Sequence, residues 1–142
     1  MRIVVIAQGK LKERGLREVA DDYLTRIRKH VRCEEIEVRK ASELAARVPK
    51  DATVVALEVN GDRVTSSELS QRLSLWLSRD KGSVAFLIGG SEGLPEELSR
   101  SARVRLSLST LTLPHRLARL LLLEQIYRGL SIARGEPYAR ED

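Results

Sequence analysis

Residues Phe86 to Leu98 read FLIGGSEGLPEEL. An apolar run stops at two glycines, then come Ser91, Glu92 and Gly93, then a proline and two acids. The first half has the composition of a buried strand, and Pro95 stands at a favoured first position of a helix. A glycine-rich passage from strand to helix belongs to α/β architecture and presents backbone amides to whatever lies beside it. Two explanations of the glycines are open. A ligand lies against bare backbone, or a tight turn needs the conformational freedom of glycine for its own sake. The loop is neither a Walker loop nor GxGxxG, since no Lys-Ser or Lys-Thr pair closes it. Glu92 places negative charge at the site, which disfavours a triphosphate and suits a cation or a donor group.

The pattern repeats outward from this stretch. RIVVIAQ (Arg2 to Gln8) is a β-branched run bounded by Gly9. Leu16, Val19, Ala20, Tyr23, Leu24 and Ile27 recur at helical spacing. CEEIEVRK alternates, as a strand with one wet face near a sheet edge does, and SELAARV is a short helix candidate. ATVVALEV (Ala52 to Val59) reads as a third strand that stops at the turn pair Asn60-Gly61. Thr65 and Glu68 have the spacing of a capping box, and Leu69, Leu73, Trp76 and Leu77 form the stripe of the helix behind it. SVAFLI is a fourth strand, PEELSRSA a short helix and RVRLSLS a fifth strand. A long helix runs from about His115 to Ala133, with Gly135 and Pro137 as its stop signal. Strands alternating with helices predict an α/β fold, a mostly parallel sheet with helices on both faces. No repeat or linker divides the chain, so 1–142 reads as a single domain. In open α/β sheets ligands gather at the carboxyl ends of strands. That directs attention to the loops after Val59, Ile88 and Ser109.

Composition narrows the function classes. The net charge is +5 and hydrophobic residues make up 42%, a balance that excludes disorder and favours an anionic partner, nucleic acid first. Aromatics are 4%, too few for a stacking platform along a single strand. Cys33 is the sole cysteine, which rules out an internal disulfide and a cysteine-rich zinc site and fits a reducing, cytoplasmic setting. The apolar run at the N-terminus is too short for a signal peptide, and no stretch approaches the ~20 residues that span a bilayer, so no membrane partner is expected.

A second stretch, LSLSTLTLPHRLARLLLLEQIY, alternates small hydroxyls with leucines and carries no charge before Pro114. It offers main-chain groups and an apolar wall, which suits an adenine ring better than a phosphate; a buried connection into the last helix would use the same residues. The helix that follows carries Leu117, Leu120, Leu121, Leu122, Leu123, Ile126, Tyr127 and Leu130, more than one core-facing stripe holds. Either a second subunit covers part of it or the helix is deeply buried. The tail RGEPYARED with Arg134, Tyr138 and Arg140 is either frayed or a strip that binds phosphate and base.

Taken together, FLIGGSEGL, LSLSTLTLPHRLARLLLLEQIYRGLSI and GEPYARE resemble the ribosomal RNA large-subunit methyltransferase H family of the SPOUT superfamily. VVALEVNG, the GK after the first strand and DDYLTRI extend the resemblance nearly end to end. The resemblance implies methylation of N3 of a pseudouridine in 23S rRNA with S-adenosylmethionine as donor. It also implies a homodimer and a C-terminal trefoil knot, which pattern rules alone argue against. The family's donor-binding positions fall on Leu57, Gly90 and the run Leu108, Ser109, Thr110, Leu111, Thr112 and Leu113, with Gly89 and Pro114 adjoining. Tyr138 and Arg140 would bind the RNA across the dimer interface. The family tail commonly reads Pro-Tyr-His-Arg; here Ala139 stands in place of the histidine.

The reaction needs an in-line approach and loss of the N3 proton, so a general base helps. His115, Glu92 and Glu124 are the candidates, and His115 beside the donor loop has a suitable ordinary pKa. No metal is required. Lys10, Lys12, Arg14, Arg116, Arg134 and Arg140 are candidate phosphate contacts, and the other arginines read mostly as solvated helix faces. A non-catalytic ribosome-binding protein and a SPOUT enzyme acting on another RNA are the competing readings.

Overall fold

The computed structural model describes residues 1–140. The last two residues of the expected domain, including the Glu141 that ends GEPYARE, lie outside them. Five strands, β1 (Arg2–Gln8), β2 (Arg32–Val38), β3 (Thr53–Arg63), β4 (Ser83–Ile88) and β5 (Val104–Ser107), form one sheet in the order β2-β1-β4-β3-β5. Every pairing is parallel. Helices α1 (Arg14–Arg28), α2 (Ser66–Ser78) and α3 (Glu96–Ser101) connect β1 to β2, β3 to β4 and β4 to β5, and α4 (His115–Arg134) follows the last strand.

The period of two along β1 sorts its side chains between two layers. Ile3, Val5 and Ala7 face a large cluster that contains Leu24 and Ile27 of α1, Leu73 and Trp76 of α2, and Leu122 and Ile126 of α4. Val4 and Ile6 face a smaller cluster with Ala85, Leu87 and Leu44, against which Leu94 and Leu98 pack. Both faces of the central strands are therefore dry, which is why β1 and β4 read as unbroken apolar runs. Trp76 meets Phe86 edge-on with centroids 6.3 Å apart at the centre of the larger layer.

The predicted elements are present with three differences. SELAARV forms two short 3-10 turns, Ala41–Glu43 and Ala45–Arg47, with only Leu44 between them fully buried. Val19 lies outside the α1 stripe, 43% exposed. The third difference bears on the site: β3 does not stop at Asn60-Gly61. Leu57 and Asp62 both stand opposite Leu106, so residues 58–61 bulge out of the sheet and the strand resumes to Arg63. Gly61 makes this possible, since a Cβ there would lie 2.7 Å from the carbonyl of Arg105. Thr65 then starts α2 as expected: its hydroxyl accepts from the Glu68 amide at 3.1 Å, and Glu68 returns the bond to the Thr65 amide at 2.8 Å. No helix among the described residues is long and apolar enough to cross a membrane.

Candidate functional site

The carboxyl ends of β3, β4 and β5 open on one cavity of about 690 Å³. Leu57 enters from β3 and Gly89 and Gly90 from the loop after β4. Leu108, Ser109, Leu111, Thr112, Leu113 and Pro114 form the opposite wall, and His115 opens α4 at its rim. Of the positions expected here only Thr110 is not among the lining residues. Its neighbour Ser109 shapes the wall, because its hydroxyl accepts from the Leu111 amide at 2.9 Å while its carbonyl accepts from the Ser107 hydroxyl at 3.0 Å. The charges are one-sided. Glu58 and Glu92 line the cavity, and no lysine or arginine does. Glu58 is held by the Ser99 hydroxyl, which donates to it at 2.5 Å. Glu92 is exposed.

The three glycines of the loop have reasons of their own. A Cβ on Gly89 would come within 2.4 Å of the Gly93 carbonyl carbon, so the loop's two arms touch backbone to backbone. Gly93 has φ +80° and donates its amide to the Gly90 carbonyl at 2.9 Å, closing a turn over Ser91 and Glu92. A Cβ on Gly90 would meet Gln8 Oε1 at 2.8 Å, and that same amide oxygen accepts from the Gly90 N–H at 3.3 Å. Loop geometry alone therefore demands glycine at 89 and 93. At position 90 a Cβ would meet only the movable end of the Gln8 side chain.

Residues 1–139 match the family model described as "Predicted SPOUT methyltransferase". A ribosomal RNA large subunit methyltransferase H from Sorangium cellulosum is 50% identical over 98% of this chain and 99% of its own length. The one from Acetivibrio thermocellus is 38% identical over 99% of this chain and all of its own length. The chain belongs to the ribosomal RNA large subunit methyltransferase H family of SPOUT methyltransferases. Among solved structures, a probable methylase family protein from Haemophilus influenzae superposes with a TM-score of 0.58 at 14% identity, over 94% of this chain and 67% of its own. A structure described for 2-OH methylation of C/U34 on tRNA does so at 0.53 and 15%, over 92% and 97%. These two speak to the fold alone.

Two features of this SPOUT chain escaped the sequence reading. Arg119, one turn beyond His115, is 1% exposed rather than a solvated arginine. Its guanidinium donates to Glu35 at 3.0 Å, to Glu37, and to the Gly9 carbonyl at 2.9 Å. Arg17 of α1 joins the same two carboxylates, and the Leu11 amide donates to Glu37 at 3.1 Å. Burial opposes the charge on Glu37, but the bonds from Arg119 and Leu11 and the nearby guanidinium charges outweigh it and hold its carboxyl below the usual range. An isolated arginine inside LARLLLLE, and two acids on the alternating face of β2, were the only signals in the sequence.

The second is the tail. Gly135 at φ +67° ends α4, with its amide on the Ile132 carbonyl and that of Glu136 on the Ser131 carbonyl, a Schellman closure. The chain then folds back as a 3-10 turn, Pro137–Arg140. Tyr138 donates to Glu124 at 2.8 Å, lies 3.2 Å from the Tyr23 hydroxyl, and packs its ring on Tyr127 with centroids 4.6 Å apart. Burial and these two hydrogen bonds push its phenol well above the ordinary value. Arg128 pairs with Glu124 at 2.8 Å and covers the Tyr138 ring. His30 Nε2 lies 3.3 Å from Glu136 Oε1, an ion pair when the imidazole is protonated. The described part of the tail, residues 135–140, is docked along α1 and α4 rather than frayed. Glu124, a candidate base, is committed to Arg128 and Tyr138 and does not line the cavity.

The remaining cations divide. Arg116 pairs with Glu13 and Arg14 with Glu18, and both arginines are exposed, as are Lys10, Lys12, Arg134 and Arg140.

Proposed function

We propose that this chain methylates N3 of a pseudouridine in 23S rRNA of the large ribosomal subunit, with S-adenosylmethionine as donor, as a cytoplasmic homodimer. The observation that carries the donor assignment is the one-sided cavity, with two carboxylates, many main-chain groups and no cationic side chain. That lining mismatches a triphosphate and matches a small sulfonium bearing an adenine and an amino acid. The names of the relatives support the rRNA assignment. When bound, the donor supplies an electrophilic methyl group whose bond to sulfur breaks as the bond to N3 forms.

The protein's part is to bind, orient and deprotonate. Leu57, Gly89, Gly90 and the wall residues Leu108, Ser109 and Leu111 to Pro114 would hold the donor, and the leucines offer its adenine an apolar surface. Glu58 and Glu92 favour positive charge in the cavity. His115 at the rim takes the N3 proton, and Glu92 is the other candidate base that lines the cavity. Tyr138 and Arg140 serve the RNA.

Within one protomer Tyr138 sits away from the cavity. Tyr138 meets α4 at Glu124, nine residues from His115, about 14 Å along the helix at 1.5 Å per residue. A second copy would bring the tail of one protomer to the cavity of its partner. Exposed Leu117 and Leu121, one turn apart beside the cavity end of α4, are the apolar surface such a copy would cover. A threaded C-terminal segment, the trefoil knot of the resemblance, is part of the same proposal.

Labelled S-adenosylmethionine incubated with unmethylated ribosomes or free 23S rRNA tests the reading, with the labelled nucleotide mapped afterwards. Label on one pseudouridine at N3 is expected. Label on another RNA would move the assignment to a different SPOUT substrate. Donor binding without any transfer would favour a non-catalytic ribosome-binding protein, the reading that Ala139 in the tail supports.

A further inference from the structure

We infer that Arg119 is a positioning residue for methyl transfer, clamping the segment Gly9–Leu11 so that Lys10 stands beside His115 at the mouth of the cavity. The inference rests on the methyl-transfer reading above. Arg119 does not line the cavity. It acts through backbone. Its guanidinium donates to the Gly9 carbonyl at 2.9 Å and to Glu37, and Glu37 accepts from the Leu11 amide at 3.1 Å. The Gly9 amide is tied to the Val38 carbonyl at 2.8 Å. The backbone on both sides of Lys10 is therefore fixed, while its side chain is exposed.

The clamp lies against the cavity at two points. Gln8, immediately before it, accepts from the Gly90 amide. Gly9, at φ +94°, leaves 3.8 Å between the position of a Cβ and His115 Nε2. His115 and Arg119 are four residues apart on one face of α4, so both reach Gly9 from the same helix. The network is balanced, two guanidiniums against two carboxylates, and a lysine could not make the same forked contact. Bidentate and forked contacts of this kind fix orientation as well as charge. A cation so held beside the transfer site suits an rRNA phosphate next to the target base.

The test uses the full chain with Arg119→Lys, Lys10→Ala and the double variant. Donor affinity is measured by calorimetry, kcat and KM with rRNA at two salt concentrations, and backbone exchange at Gly9 and Leu11. Arg119→Lys should leave donor affinity within about threefold, raise KM for rRNA about tenfold and lower the salt slope by about one, the loss of a single phosphate contact. Lys10→Ala should do the same, and the double variant should be no worse than either, since both remove one interaction. A roughly hundredfold additive rise in the double variant, kinetics of Arg119→Lys equal to the parent, or donor affinity falling as far as KM rises would each overturn the inference.

Glu37→Gln is the second variant should Arg119→Lys fail to fold. It should give the same KM rise coupled to Lys10, and an unchanged KM would overturn the inference. A parent that transfers no methyl group to rRNA would defeat the reading beneath. The clamp is then judged by exchange, and a Leu11 amide no faster in either variant overturns it.

Discussion

Cys33 of β2 is buried, and desolvation, against the charge of Arg28, pushes its thiol up to about 12. The thiolate is the reactive form, so alkylation at pH 8 should run on the order of a thousandfold slower in the native protein than in urea. Mass spectrometry of timed samples checks this; equal rates would show that β2 opens freely. Glu37 makes a prediction of opposite sign in pH. Its carboxyl is held below its ordinary value of 4.5, so its contribution to stability is present above that value and lost as pH falls through the lower, folded one. Urea midpoints should therefore drop below about pH 4.5, and Glu37→Gln should flatten that decline while lowering the midpoint at pH 7. An equally steep decline in the variant would move the acid sensitivity elsewhere. The rule about the carboxyl ends of strands pointed to the loops that line the cavity, and the family resemblance named the residues within them. Sequence reading missed Arg119 because its partners lie 84 and 82 positions away, and nothing local marks a charge as paired.

Elements were legible wherever apolar period and cap chemistry agreed, as in α2, whose Thr65–Glu68 box and Leu69–Leu73–Trp76 stripe both hold. They were not legible where a turn signal served a different end. Asn60-Gly61 marks the bulge of β3, and Gly61 is there to let the Arg105 backbone pass. The loop after β4 gives a prediction at this scale. Gly89→Ala would drive a Cβ into the Gly93 backbone, so it should lower stability and abolish donor binding together. Gly90→Ala meets only the end of Gln8, so it should fold normally and lose the Gln8 bond. Thermal melts with donor titration separate the two, and identical behaviour would refute the distinction. Helices α2 and α4 cross closely at Gly129, where the Ser70 hydroxyl donates to the Gly129 carbonyl at 2.6 Å and a Cβ would lie 3.4 Å from the Ser70 backbone. Gly129→Leu should overpack this crossing and cost about 1–3 kcal/mol in urea unfolding. A loss smaller than the error of the fit would mean the helices can part there.

At the scale of the molecule, the α/β class followed from the alternation of runs, whereas strand order did not, because β1 pairs with β4 some 80 residues downstream. Light scattering at micromolar concentration should report about twice 15.9 kDa, and removal of everything after Gly135 should leave donor affinity intact while methylation collapses. A monomer, or full activity without the tail, would remove the shared site. The cavity is also assembled from parts that leave the ribosome at different moments. Its first wall is made at Leu57, its second near Gly89, and its third only when Leu108–His115 has been synthesised. A nascent chain that has just completed β5 already holds all five strands yet lacks the wall that closes the cavity. Donor binding thus reports that translation has passed His115, and chains arrested at successive lengths should acquire it in one step rather than by degrees.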